Sequence, residues 1–138
     1  MKQMPKIEKV MTPMPHTIGK TIPIAKALDM MRTHHIRHLP VQEGGKLVGL
    51  LTDRDVKLAS SFAGAASGEL TVEDAMTPDP HCVTPQAPLD EVAEVMAEHK
   101  YGCVIVQQEN GKVVGIFTAT DALRFLGEKM KEYYKHAG

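Results

Sequence analysis

The sequence predicts an α+β fold, α/β-like in its alternation, made of two tandem β-α-β-β-α units related by a pseudo-two-fold axis. Three observations predict it. First, the chain repeats itself: Val10-Met11-Thr12-Pro13 returns as Ala75-Met76-Thr77-Pro78, and the stretch from Glu43 to Asp55 returns as Glu109 to Asp121. Second, the offset is 65 residues up to Val41 and Val106 and 66 beyond them, with one extra residue in the second copy near Gln107-Gln108. Third, each copy runs from apolar residues at helical spacing into short apolar runs parted by a turn, the pattern of a helix followed by a hairpin. Self-similarity of this kind means one small unit used twice.

Thr17-Ile18 and Cys82-Val83 open the two copies as short strands. Pro23 and Pro88 follow, each where a helix can start at its first turn. Ile24, Ala27, Leu28 and Met31 then recur at helical spacing, matched by Leu89, Val92, Ala93 and Met96, and both helices are expected to reach about His34 and His99. The strands His38-Leu39-Pro40-Val41-Gln42 and Cys103-Val104-Ile105-Val106-Gln107 come next. Glu43-Gly44-Gly45 and Glu109-Asn110-Gly111 form the turns, where Gly and Asn tolerate positive φ. The returning strands run from Lys46 to Leu51 and from Lys112 to Phe117, and a helix opens at Thr52 or Thr118.

The first of these helices is expected to end at Ser60-Ser61, before the small-residue stretch from Gly64 to Gly68. The second is expected to continue to the C-terminus. Its apolar side would carry Ala122, Phe125, Leu126, Met130, Tyr133 and Tyr134, with Lys129, Lys131 and Lys135 on the wet side. The organisation is therefore a first copy over residues 7–62, a linker over 63–71, a second copy over 72–127 and a helical extension over 128–138. A unit of about 60 residues buries little core alone. Two units sharing their strand faces do better, and that arrangement creates two equivalent clefts between the copies.

Composition narrows the function. The 138 residues are 43% hydrophobic, which fits one compact domain and argues against disorder. With no Trp, three Tyr and three Phe, the core is aliphatic. A net charge of −1 gives no general attraction to DNA or to an anionic membrane. No apolar run approaches the roughly 20 residues of a membrane span, and Met1-Lys2-Gln3-Met4-Pro5-Lys6 lacks a signal-peptide stretch. A cytoplasmic protein is the expectation. Cys82 and Cys103 are the only cysteines, expected as buried or half-buried free thiols. The recurrence of Met11/Met76 and Met31/Met96 marks packing positions.

Chemistry concentrates in Gly-h-h-Thr-x-x-Asp, with h apolar, which runs from Gly49 to Asp55 and from Gly115 to Asp121. Thr ends a strand and Asp lies three residues on, in the first turn of a helix, so both face one side. A helix N-terminus suits a phosphate, and the Thr hydroxyl adds to it. The Asp repels phosphate but accepts hydrogen bonds from vicinal hydroxyls such as those of a ribose. Two readings stand side by side: a nucleotide grip, or a capping box that merely stabilises the helix. His34, His35 and His38 suggest a metal, but a helix end between them and the lack of an accompanying acid or Cys argue for no metal site. No nucleophile elbow or P-loop is present, so no catalytic residues are assigned and no enzyme activity is expected.

The ordered duplication of Met-Thr-Pro, a Pro-initiated helix, a hairpin and Gly-h-h-Thr-x-x-Asp resembles a tandem pair of cystathionine-β-synthase (CBS) domains, a Bateman module, over roughly residues 7–127. The resemblance implies a cytoplasmic, non-catalytic regulatory module whose clefts bind AMP, ADP, ATP, S-adenosylmethionine or NAD. It also implies a homodimeric disc and a regulated partner protein acting in trans. It assigns Thr52 and Asp55 to one site, Thr118 and Asp121 to the other. Thr17-Ile18 and Cys82-Val83 would offer backbone and apolar surface to an adenine, with Leu39-Pro40 and Val104-Ile105 as the opposing wall. Arg37-His38 stands where this family often places a phosphate-binding cation, and Arg54 adds charge beside Asp55. The second copy has Gly102-Cys103 and Thr120 at those places, so the two sites need not be equivalent. The alternative is a structural dimerisation module with no physiological ligand.

Overall fold

The computed structural model describes residues 2–63 and 70–136. They form two compact units. One comprises Pro15–His81 with Asn110–Val113; the other comprises Met1–Met14, Cys82–Glu109 and Val114–Gly138. Each is a mixed sheet of four strands with helices, and the mixed α+β class follows.

In the unit containing Pro15–His81, the elements are β2 (Ile18–Gly19), α1 (Ile24–His34), β3 (His38–Glu43), β4 (Lys46–Thr52), α2 (Asp53–Ala63), α3 (Val72–Ala75) and β5 (Thr77–Pro78). The sheet order is β2-β3-β4-β5. β2 runs parallel to β3, since the α1 crossover separates them, while β3 and β4 form an antiparallel hairpin with Val41 opposite Gly49. Gly44 and Gly45 both take positive φ, 57° and 79°, as a two-residue hairpin turn of primed type requires. Ile24, Ala27 and Met31 on α1, Leu39, Val41 and Leu51 on the strands, and Val56 and Val72 make one core. Lys20 ties this unit together, 3.0 Å from Glu43 and 3.1 Å from Glu73, and these two carboxylates raise its pKa.

The other unit repeats the plan. Its elements are β1 (Thr12–Pro13), β6 (Cys82–Val83), α4 (Leu89–His99), β7 (Cys103–Gln107), β8 (Val113–Thr118) and α5 (Ala119–Tyr133), with a 3-10 turn at Ile7–Lys9. The sheet order is β1-β8-β7-β6. Leu89, Val92 and Met96 of α4 pack with Ile7, Val104, Val106 and Phe117.

The motif Met-Thr-Pro is structural, and it folds away from its own copy. Thr12-Pro13 pairs with Ile116 and Gly115 of the second copy's hairpin. Thr77-Pro78 pairs with Leu50 and Gly49 of the first. The residues just upstream follow the same exchange. Ile7 donates its N–H to Ala87, and its side chain is wholly buried in the second copy's core. Val72 donates to Ile22 and is wholly buried in the first copy's core. Burying such a side chain is worth about 1.5–3 kcal/mol, enough to anchor a short lead segment. The glycines of the second motif make room for this packing. A Cβ on Gly49 would lie 2.5 Å from Met76 Sδ and 3.0 Å from the Thr77 carbonyl oxygen, and one on Gly115 would meet the Met11 side chain.

Several expectations are corrected. Pro23 and Pro88 sit one residue before their helices, as N-caps in extended backbone, because Pro fixes φ without supplying a capping side chain. α2 runs through Ser60 and Ser61 to Ala63. The expected linker stretch, Gly64 to Gly68, lies outside the described residues. α5 stops at Tyr133, and only Ala122 and Phe125 of its expected apolar side pack against the core; Leu126 and Tyr133 are 50% and 67% exposed. Lys129 is half-buried, its ammonium 5.4 Å from the Phe125 ring centroid. Among the described residues, no helix is long and apolar enough to cross a membrane.

Candidate ligand-binding site

Both Thr-x-x-Asp segments sit at a strand-to-helix junction, and both close as capping boxes. At the first, the Thr52 N–H donates to Asp55 Oδ2 at 3.0 Å, and the Asp55 N–H donates to Thr52 Oγ1 at 3.1 Å. At the second, the Thr118 N–H donates to Asp121 Oδ2 at 2.9 Å and the Asp121 N–H to Thr118 Oγ1 at 3.2 Å. A capping box usually carries Glu or Gln at this position, but the shorter Asp reaches the N-cap N–H in both.

The two carboxylates nevertheless differ. Asp121 is buried, 9% exposed, and both its oxygens are engaged. Oδ1 accepts from the Thr12 hydroxyl at 3.3 Å and from Arg124 Nη1 at 3.2 Å. Asp55 is half-buried, and among the described residues its Oδ1 has no hydrogen-bond partner. An acceptor free at a helix N-terminus can take a hydroxyl from a ligand; one already satisfied by three neighbours must first release them.

The cations at the first junction are not those of the second, where Arg124 already pairs with Asp121. Arg37 accepts the Asp53 N–H on its carbonyl at 3.0 Å, and His38 pairs with Thr52 across the hairpin. Arg37-His38 is thus adjacent to the start of α2, with exposed Arg54 one residue from Asp55. Burial lowers the His38 pKa, with Arg37 lowering it further against the raising effects of Asp53 and Asp55. His38 is therefore a neutral hydrogen-bonding group near pH 7, and the fixed charge comes from Arg37 and Arg54. Thr120, the counterpart of Arg54, is exposed.

The expected adenine wall divides by strand alternation. Leu39 and Val104 pack into their units' own cores, as does Ile18. Pro40 and Ile105, on the opposite strand faces, are also fully buried. Thr17 is half-exposed and lines, with Ile18 and Gly19, a hollow of about 560 Å³ beside α1. Val83 packs on the second core, and Cys82 beside it is half-buried. Neither Cys82 nor Cys103 is in a disulfide, and their strands β6 and β7 are neighbours. Burial pushes the Cys103 thiol up to about 12. Among the described residues, no three His, Cys, Asp or Glu side chains gather as a metal site. His34 instead stacks on His16, ring centroids 3.8 Å apart. Sequence reasoning missed that stack and the Thr12–Asp121 bond, since both join residues with no pattern linking them.

The CBS domain family model matches residues 7–61 and again 72–128, and the chain belongs to that family. An inosine-5'-monophosphate dehydrogenase of Korarchaeum cryptofilum is 38% identical over 105 residues; the match covers 76% of this chain but only 21% of that enzyme. The crystal structure of AcuB from Vibrio cholerae superposes with a TM-score of 0.84 at 31% identity, covering 97% of this chain and all of that one, 100%. The CBS domain pair of protein MJ0100, solved in complex with 5'-methylthioadenosine and S-adenosyl-L-methionine, superposes with a TM-score of 0.80 at 29% identity. That match covers 92% of this chain and 99% of the other.

Proposed function

We propose that this chain is a non-catalytic regulatory module that binds an adenosyl ligand at the start of α2 and signals to a partner protein in trans. The observation that carries the reading is the free Oδ1 of Asp55, held in place because Oδ2 is fixed by the Thr52 N–H. A ribose diol would donate to Oδ1. Thr52, the first N–H groups of α2, Arg37 and Arg54 would take phosphate or another anionic tail. AMP, ADP and ATP meet this pattern, with S-adenosylmethionine and NAD as alternatives. The bound adenosyl compounds of the MJ0100 domain pair support an adenosyl ligand over a guanosyl one.

Thr118-Asp121 fits the structural reading better. Its carboxylate is already satisfied, and Gly102, Cys103 and Thr120 replace the cations. One occupied site per chain is the expected stoichiometry. The exposed Leu123, Leu126 and Tyr133 of α5 suit pairing with a second copy as a homodimer. A cytoplasmic location fits two cysteines outside any disulfide. Ligand can signal only through unequal affinity for two conformations. Thermal melts with AMP, ATP, NAD and S-adenosylmethionine, with GTP as control, test the class: an adenosyl compound raises Tm without being turned over. A rise with GTP alone, or product formation, contradicts the proposal.

A further inference from the structure

A second hollow, of about 450 Å³, lies where the end of α1 meets the start of α2. Its floor is apolar, with Leu28, Met31 and Ile36. Its rim carries Arg32, Arg37, Lys57 and His35, with Asp53 as the one acid. Among the described residues neither Arg32 nor Arg37 has an ion pair, and Lys57 reaches Asp53 only at 3.9 Å, with 72% of its side chain exposed. Three permanent cations against one carboxylate, over an apolar floor of ligand-pocket size, form a basic, partly greasy bowl.

The internal repeat supplies a control. Both copies build the same helix, hairpin and helix, so what the fold needs is present in both. At the places of Arg32, Arg37, Asp53 and Lys57 the second copy has Ala97, Gly102, Ala119 and Leu123. The charges of this bowl are therefore not required by the fold. Compensation of the helix dipole would account for Arg32 in the last turn of α1. It does not account for Arg37 on the following strand entry or for Lys57 on α2.

We propose that this bowl is a second anion site, for a small phosphate ester or diphosphate whose apolar part rests on Leu28 and Ile36. Two guanidinium forks and a mobile ammonium match a tetrahedral dianion better than a single carboxylate. Arg37 is common to this bowl and to the adenosyl reading, but Arg32 and Lys57 take no part in that reading, so they are the residues that set this site apart.

Pyrophosphate is the probe, titrated calorimetrically into the full chain at low ionic strength. Saturable one-to-one binding is expected. Arg32→Ala and Lys57→Leu, which install the residue types of the second copy at exposed positions, should each weaken it about tenfold, the loss of one charge-assisted hydrogen bond. Asp55→Ala should leave pyrophosphate binding unchanged while abolishing that of unphosphorylated adenosine, and the two rim variants should do the reverse. No saturation, saturation that Arg32→Ala and Lys57→Leu leave intact, or loss on Asp55→Ala overturns the site. Unchanged melting curves of the rim variants show that the fold is kept.

Discussion

The Thr12 hydroxyl donates to the Asp121 carboxylate at 3.3 Å, joining residues 109 apart in sequence. It fastens the edge strand β1 to the helix start of α5 in the same unit. The first copy has no such bond: among the described residues the Thr77 hydroxyl makes none to Asp55. Two motifs of one Gly-h-h-Thr-x-x-Asp pattern thus differ in duty, one carboxylate spent on structure and one left open.

Asp121→Ala should therefore cost more stability than Asp55→Ala. The first leaves a buried cluster of donors without an acceptor, about 1–3 kcal/mol. The second removes an ordinary cap, about 1 kcal/mol. Thr12→Ala should destabilise where Thr77→Ala is near neutral. Urea midpoints of the four variants check the order.

Gly115→Ala and Gly49→Ala should each destabilise by about 1–3 kcal/mol, from overpacking. Their rescues should differ. The atoms nearest a Cβ on Gly115 all belong to the Met11 side chain, so Met11→Ala restores Gly115→Ala. At Gly49 the Thr77 carbonyl is also in the way, at 3.0 Å, so Met76→Ala restores only part. Thermal melts of the double variants distinguish the two cases.

Acidification should destabilise the chain through His38. Burial lowers its folded pKa below the ordinary 6.5, so the unfolded chain binds more protons as pH falls through that value. The contribution is complete above about pH 6.5 and is lost as pH falls from there towards the folded pKa. His38→Gln should flatten this part of the stability profile, measured as urea midpoints at pH 7.5 and 5.5.

Cys103 should resist thiol reagents in the folded chain, because its thiol is buried and pushed up to about 12. Burial also raises the Cys82 thiol, but Cys82 is half-buried and should react first. Peptide mapping after timed alkylation at pH 8 reads the order. Equal labelling of both would contradict the burial described.

Much of the fold was legible because repetition doubles every signal. The helix ends at His34 and His99 followed from apolar spacing, and the hairpins from the Gly-containing turns. The exchange of lead segments was not legible: Ile7 and Val72 look alike in sequence, and nothing local says which core each joins. Ser60-Ser61 misled because helix propensity is a weak prior once Val56 is anchored in the core. Leu39 and Val104 lie in the cores of their units, as strand alternation with Val41 and Val106 requires. At the site, Thr52 and Asp55 were legible as a pair, but their unequal partner at Thr118 and Asp121 depended on Thr12 and Arg124, contacts that only the folded chain reveals.

The central claim is an adenosyl site at Asp55 and a structural carboxylate at Asp121. Titration calorimetry of AMP, ATP and S-adenosylmethionine into the chain, repeated with Asp55→Ala and with Asp121→Asn, tests it most directly. One site per chain, lost in Asp55→Ala and kept in Asp121→Asn, is the predicted result. Two equal sites, or binding that survives Asp55→Ala, would contradict it.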